Sequence, residues 1–308
     1  MTDPNLAQPG VLNDALAFAE YLTFVLRDDA DASDGFAHAL EMVDNAARSI
    51  GHKDVTAQVS ATIGVSARAW PRLFPGHPLP EGLADFEELR DGDRHFPATP
   101  GDVFVMVKST RIDLNLQVAK YVYDGLRPIA DLTEDVTGFR YLDDRDLIDF
   151  VDGTENPIGP ERTAAVLVPD GPYAGGSHLF VQRYVDRQAD WDALSTEQQQ
   201  DVIGRTKFDD LELPAEQKKP YAHNVRSKVE RDGEELAMYR QNRAFGTALE
   251  HGTMFIGFVQ DPTVIRTSLR QMIVADEHGA YDHLLDFVVA RTGTAYFVPP
   301  VAMIAPGG

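Results

Sequence analysis

An acid, a histidine, an arginine and a second acid follow one another along this 308-residue chain, each where a side chain can meet a ligand. Asp152 lies in Asp149-Phe150-Val151-Asp152-Gly153-Thr154-Glu155-Asn156-Pro157. An apolar pair before it and a glycine after it put the carboxylate at a tight turn, where backbone approaches a ligand closely. A carboxylate held there can take a proton and return it; with an ordinary pKa of about 3.9 it is a usable base at acidic pH. His223, in Ala222-His223-Asn224, follows the polar stretch Glu216 to Tyr221 and precedes Arg226, so a loop presents its ring. Arg240 follows Leu236-Ala237-Met238-Tyr239 at the end of an expected strand, where its fixed charge can face an anionic group. Asn242, two residues on, points the same way on a strand and adds a hydrogen bond. The second acid is Asp282 in Tyr281-Asp282-His283. Singly, these patterns also fit a plain turn, a satisfied histidine and an edge-strand ion pair. Their order is what carries weight.

Composition narrows the chemistry. The chain has no cysteine, which excludes disulfides, thiolate zinc sites, iron–sulfur clusters and thiolate-ligated haem. That fits a reducing cytoplasm. A net charge of −21 leaves no basic excess to release counterions from nucleic acid, so no nucleic-acid partner is expected. The nine histidines form no His-x-His or His-x-x-x-His pair, which argues against a multi-histidine metal site. Met1-Thr2-Asp3-Pro4-Asn5 lacks the basic start and apolar core of a secretory signal, and no stretch is long enough to span a membrane. A soluble cytoplasmic protein without membrane contact is the expectation.

The elements that must position these residues alternate in type. Leu16 to Leu26, Val55 to Val65, Asp102 to Lys108 and Val136 to Leu142 read as strands. Gly35 to Ile50, with Phe36, Leu40, Val43, Ala47 and Ile50 on one face, and Asp113 to Leu126 read as helices. The order is β-α-β-β-α-β. It repeats with strands Ser177 to Val185, Leu236 to Tyr239, Thr253 to Val259 and Ala295 to Val298. Between them lie helices Asp190 to Ile203, with a Ser195-Thr196-Glu197-Gln198 start signal inside, and Pro262 to Met272. This predicts an α+β chain of two ferredoxin-like halves, residues 1–145 and 146–308. The link from Asp143 to Gly176, rich in Gly, Pro and Asp, carries the Asp152 motif.

With these motifs placed, the chain resembles the dye-decolourising peroxidases, and most closely the compact bacterial type without a secretion leader. Beyond Val151 to Pro157 and Tyr239 to Gly246, the likeness rests on four segments in family order. They are Pro97-Ala98-Thr99-Pro100-Gly101-Asp102, Phe180-Val181-Gln182-Arg183, Val202-Ile203-Gly204-Arg205-Thr206-Lys207 and Thr292-Gly293-Thr294-Ala295-Tyr296-Phe297. It runs from about Asp14 to Met303. The resemblance implies two ferredoxin-like halves packed as a dimeric-type α+β barrel, with one haem b held mainly by the C-terminal half. It implies His223 as axial ligand of the haem iron, its Nδ1–H accepted by Asp282, the better match to the family position, with Asp286 one helical turn later as the alternative. Asp152, Arg240 and Asn242 become the catalytic groups, and Gly153, Thr154, Glu155 and Arg205 join them around the cofactor.

One departure stands out: the family signature begins with glycine three residues before the catalytic acid, and this chain has Asp149. Glycine there permits positive φ, which aspartate tolerates better than most residues. An added carboxylate at the haem edge would lower the local potential.

The implied activity is reduction of hydrogen peroxide with one-electron oxidation of aromatic dyes and phenols by a homo-oligomer. The alternative is a protein that stores, delivers or removes iron from haem. Glu155, Glu212 and Glu235 are candidates for a Mn²⁺ site. Trp70, Trp191 and the tyrosines, Tyr239 among them, are the candidates for relaying electrons from bulky donors. The end Ile304-Ala305-Pro306-Gly307-Gly308 has no apolar extension of the kind that docks cargo in a protein shell, so no encapsulation is expected.

Overall fold

The computed structural model describes residues 2–28 and 32–304; Ala305 to Gly308, which bear on encapsulation, lie outside them. Eight strands form the frame: β1 (Phe18–Leu26), β2 (Ser60–Val65), β3 (Val103–Ser109), β4 (Ala130–Phe139), β5 (Ser177–Asp186), β6 (Arg243–Gly246), β7 (His251–Val259) and β8 (Thr294–Val298). The sheet order is β7-β6-β4-β1-β3-β2-β8-β5, all neighbours antiparallel, and β5 pairs with β7 to close a barrel. Each half contributes four strands, fourth-first-third-second, which is the ferredoxin-like order taken twice. The halves join where Phe139 meets Ala244 and where Val65 meets Phe297.

Every residue of β3 is buried, which explains its unbroken apolar reading: one face looks into the barrel and the other is covered. Tyr21, Phe104, Met106, Ile256, Phe258 and Tyr296 fill the interior. On the N-terminal half, helices α1 (Ala32–Gly51) and α2 (Ile112–Leu126) pack on the outer face through Phe36, Leu40, Val43 and Val122. On the C-terminal half, α4 (Pro262–Ile273) packs through Val264, Ile265, Leu269 and Ile273 against Phe180 and Val259.

Several expected elements change at their ends. The strand from Val55 starts only at Ser60, because Asp54 caps a 3-10 turn over Val55–Ala57. The helix from Asp190 splits into Gln188–Asp192 and α3 (Thr196–Ile203): Ser195 and Gln198 form a complete capping box, which starts a new helix. The strand expected to end at Leu142 stops at Phe139, the end of a longer β4, and Leu142 itself has φ 43°. Only Tyr239–Arg240 remains of the strand from Leu236, and the barrel strand expected there is instead β6, Arg243–Gly246, which the sequence reading missed. A helix over Gly159–Val166 inside the link and a hairpin of Leu89–Asp91 with Arg94–Phe96 carried no clear signal.

Candidate active site

The link, the outer face of the second half, α3 and α4 enclose a cavity with about 1320 Å³ of empty space, its open mouth included. Its apolar walls include Ile203, Met238, Phe255, Leu269, Met272 and Val288. Asp152, Gly153, Thr154, Glu155, Arg205, His223, Arg240 and Asn242 all line it as well. Residues far apart in sequence thus share one concave site.

His223 opens a four-residue helix, His223–Arg226, rather than sitting within a loop. Its Nδ1 lies 2.6 Å from Asp282 Oδ2, and the Asp282 side chain is wholly buried. Asp282 is fixed in turn by accepting the Leu284 N–H. The imidazole is a third exposed, and Nε2 has no hydrogen-bond partner among the described residues. Burial acts to lower the pKa of His223, but the charge and hydrogen bond of Asp282 outweigh it and hold the ring above its ordinary value. Asp286 does not share this role. Its carboxylate accepts from the Tyr281 hydroxyl at 3.0 and 3.2 Å.

The Asp152 turn is held by its own backbone: Asp152 N donates to Asp144 O at 2.9 Å, and Gly153 has φ 80°. Asp149 adopts φ 72°, so the aspartate takes the left-handed conformation that the signature glycine would permit. Its carboxylate is 3.4 Å from Lys207 Nζ and borders a separate surface cleft. The expected extra charge at the cavity edge is therefore corrected: Asp149 is not among the residues lining the main cavity.

Arg240 and Asn242 lie where Tyr239–Arg240 and β6 run along β7 in one continuous register. Between them the ladder is interrupted: the Asn242 Oδ1 accepts the Ile256 N–H at 3.0 Å, taking the place of a main-chain carbonyl. That bond turns Nδ2 toward Asp152 Oδ1, 3.3 Å away. Asn156, one turn beyond Asp152, holds the main chain of Arg240.

The remaining predicted residues divide. Arg205 spans Asp210 at 2.8 Å and Glu155 at 3.1 Å, and Thr154 Oγ1 donates to Asp210 at 2.6 Å, so the Asp152 loop is laced to Arg205 through Asp210. Glu155, Glu212 and Glu235 do converge, but around Lys228 Nζ, at 3.9, 3.8 and 3.2 Å. No group of three or more potential ligands is arranged to hold a metal ion among the described residues. Tyr239 points away from the cavity: its hydroxyl donates to Asn13 O, and Arg162 lies over its ring. Trp191 is 1% exposed and stands behind the cavity wall: its ring lies 6.0 Å from that of Phe150 between centres, and its Nε1 donates to Ile148 O, both of them lining residues. Trp70 belongs to the core of the other half.

Comparison with known proteins gives this arrangement a family. Residues 8–140 match the model of the N-terminal domain of Dyp-type peroxidases, and residues 143–303 match that of the C-terminal domain. The chain belongs to the dye-decolourising peroxidase family. It is 36% identical over 304 residues to a dye-decolorizing peroxidase of Rhodococcus erythropolis, covering 97% of this chain and 88% of that one. Among solved structures it resembles the encapsulated DyP-type peroxidase of Mycobacterium smegmatis, at 34% identity and a TM-score of 0.93 over 98% of both chains. It resembles equally a DypB variant of Rhodococcus jostii RHA1 in complex with heme, at 34% identity and TM-score 0.93 over 99% and 100%.

Sequence reasoning missed four residues of this peroxidase site. Asn156 and Asp210 stood in or near the quoted motifs, but nothing in them shows which backbone they reach. Asp146 and Asp186 line the cavity too. Burial pushes Asp186 up to about 7 and raises Asp146 well above the carboxylate range. Their signal is three-dimensional, since each is an ordinary acid in an acid-rich sequence.

Proposed function

We propose that this chain is a haem b peroxidase, with one haem per chain, that reduces hydrogen peroxide and oxidises aromatic dyes and phenols in one-electron steps. The observation that carries the reading is the pairing of His223 with buried Asp282 in the same largely apolar cavity as Asp152, Arg240 and Asn242. The residues fit such a group. An imidazole with Nδ1 committed and Nε2 without a partner among the described residues would be a donor to haem iron, and the apolar walls suit a flat macrocycle. Haem, when bound, supplies the redox chemistry that no side chain here can perform.

Each residue then has a definite task. His223 would hold the iron through Nε2, while Asp282 accepts the Nδ1–H, fixes the ring and makes it a more basic ligand. Asp152 would take a proton from peroxide and return it to the leaving oxygen. Asn242 orients that carboxylate. Arg240, which forms no ion pair among the described residues, keeps its positive charge for the peroxide anion. Thr154, Glu155 and Arg205 keep the loop that carries Asp152 in place.

The absence of cysteine supports a reducing compartment such as the cytoplasm. Exposed apolar side chains at Ile158, Phe208 and Leu211 support assembly into a homo-oligomer. Among the described residues no helix is long and apolar enough to cross a membrane.

Purified protein should show the intense near-ultraviolet absorption of bound haem, and His223→Ala should lose most of it. Asp152→Ala should slow the reaction with peroxide by about 10² to 10⁴. A protein that merely carries haem would peroxidise slowly and indifferently to that change, and such a result would overturn the enzyme reading.

A further inference from the structure

A second cavity, with about 990 Å³ of empty space including its mouth, lies against the first. Ile265 and Leu269 of α4 line both. The second is otherwise bounded by the segment from Gly82 to Glu87, by His178 and Phe180 of β5, by Ala295 of β8, and by Arg266 and Arg270 at the far side of α4. Aromatic rings run from one cavity to the other. Phe86 and Phe180, both lining the second, have ring centres 4.8 Å apart, and Phe180 is 6.4 Å from Phe255, which lines the first.

The polar group inside this apolar space is His178. It is 4% exposed, and Phe297 holds its ring edge-on at 5.2 Å between centres. Burial pushes its pKa down to about 4, with the nearby Glu81 backbone pulling the other way. Arg266 and Asp261 face it with opposite effects, and Asp85 lines the same cavity. The ring is therefore neutral under working conditions. A neutral imidazole has one nitrogen that donates and one that accepts. No described residue donates to the accepting nitrogen, and the ring borders the cavity, so it is open to a donor held there. Arg266 is tied to Gly82 O at 2.8 Å, whereas Arg270 is exposed and forms no ion pair among the described residues.

We infer that this second cavity binds a small phenolic electron donor, its ring against Phe86, Phe180 and the apolar side of α4, its hydroxyl donating to His178. The site rests on the peroxidase reading for its oxidant. Oxidation of the phenol by one electron also releases one proton. The electron crosses the shared wall to the peroxide-oxidised enzyme, and His178 takes the proton as the O–H bond breaks. Two such turns, with the two protons passed on, balance the reduction of one peroxide to two waters.

The test uses holoenzyme and 2-methoxyphenol. Ala84 lines the mouth and is exposed, so Ala84→Trp can plug the cavity without entering the core. It should weaken equilibrium binding of 2-methoxyphenol, read by ligand-observed NMR, about tenfold or more. His178→Phe keeps the ring packing but removes the acceptor, and should weaken binding about 3- to 10-fold. Both should raise KM for this phenol while the rate of reaction with peroxide stays the same. Unchanged binding in Ala84→Trp would refute the site. Loss of peroxide turnover in the parent protein would strike the peroxidase reading instead, and the binding measurement separates the two failures.

Discussion

The side-chain amide of Asn156 pairs with the backbone of Arg240 in both directions: Nδ2 donates to Arg240 O at 2.8 Å, and Oδ1 accepts from Arg240 N at 2.9 Å. On its other side the Tyr239–Arg240 strand is bonded to β7. Asn156 thus stands in for a missing strand neighbour and locks the Asp152 turn to the arginine it must work with. Asn156→Ala should leave both main-chain groups without their partner, at a cost of about 1–3 kcal/mol. It should also slow the reaction with peroxide by about tenfold or more while haem content stays near that of the parent, because it shifts Arg240 and not His223. Stopped-flow mixing with peroxide checks the rate. An unchanged rate would show that Arg240 holds its position without this clamp.

Asp282 offers a cleaner probe of the histidine side. Asp282→Asn preserves volume in a site with no exposure, but removes the negative charge that holds the His223 pKa up. The histidine becomes a less basic ligand. The reduction potential of the bound haem should move to more positive values, with the cofactor retained. A potentiometric titration of the two proteins decides, and equal potentials would remove Asp282 from this role.

The three glutamates around Lys228 lead to a different expectation from the one that acid spacing suggests. With an ammonium at their centre, the parent protein should bind Mn²⁺ weakly, since the cation must displace Lys228 from Glu155, Glu212 and Glu235. Lys228→Met leaves the carboxylates facing one another and should bind Mn²⁺ more tightly. Isothermal titration with MnCl₂ measures both. Tight binding to the parent would show that Lys228 swings aside readily.

Electron entry can be narrowed as well. Tyr239 faces Asn13 and Arg162, on the side of its strand away from Arg240. Tyr239→Phe should leave turnover of a bulky anthraquinone dye unchanged. A clear drop in steady-state dye turnover would return Tyr239 to the list of relay residues.

How far the sequence reached follows from what each feature depends on. The doubled β-α-β-β-α-β order was legible because α1, α2 and α4 carry amphipathic spacing and β3 is unbroken apolar, but the second half's short second strand was placed at Leu236–Tyr239 and lies at Arg243–Gly246. Closure of the barrel was not, because the pairings Val65 with Phe297 and Phe139 with Ala244 leave no local mark. His223, Asp152 and Arg240 could be named from motif order, with Asp282 preferred over Asp286, and the fold places Asp282 and not Asp286 against the histidine. Position 149 was legible in a subtler way. A residue able to tolerate positive φ stood where glycine was expected, and the backbone takes that conformation. Side-chain to main-chain clamps such as Asn156 escape sequence reasoning altogether, since an asparagine in a turn has too many local partners to choose from.

Asp186 carries the last prediction. It lines the main cavity near Asp146, and burial raises its pKa to about 7, with the charge of His251 opposing. An unfolded aspartate titrates near 3.9. Between those values the unfolded chain gives up a proton that the folded chain keeps, so stability falls as pH rises from about 4 and levels off above about 7. Below about pH 4 both states are protonated and the contribution is fully present. Asp186→Asn removes this titration. Its stability relative to the parent should therefore rise across that window by at most about 1.4 kcal/mol per pH unit, and by less in practice because the carboxylate borders an open cavity. Glu20, also raised to about 7 by burial, and Asp146 keep their own slope in both proteins, so only the difference isolates Asp186. Urea unfolding of parent and variant at pH 5 and pH 8 measures it. A variant whose advantage is the same at both values would show that Asp186 is ionised in the folded protein throughout.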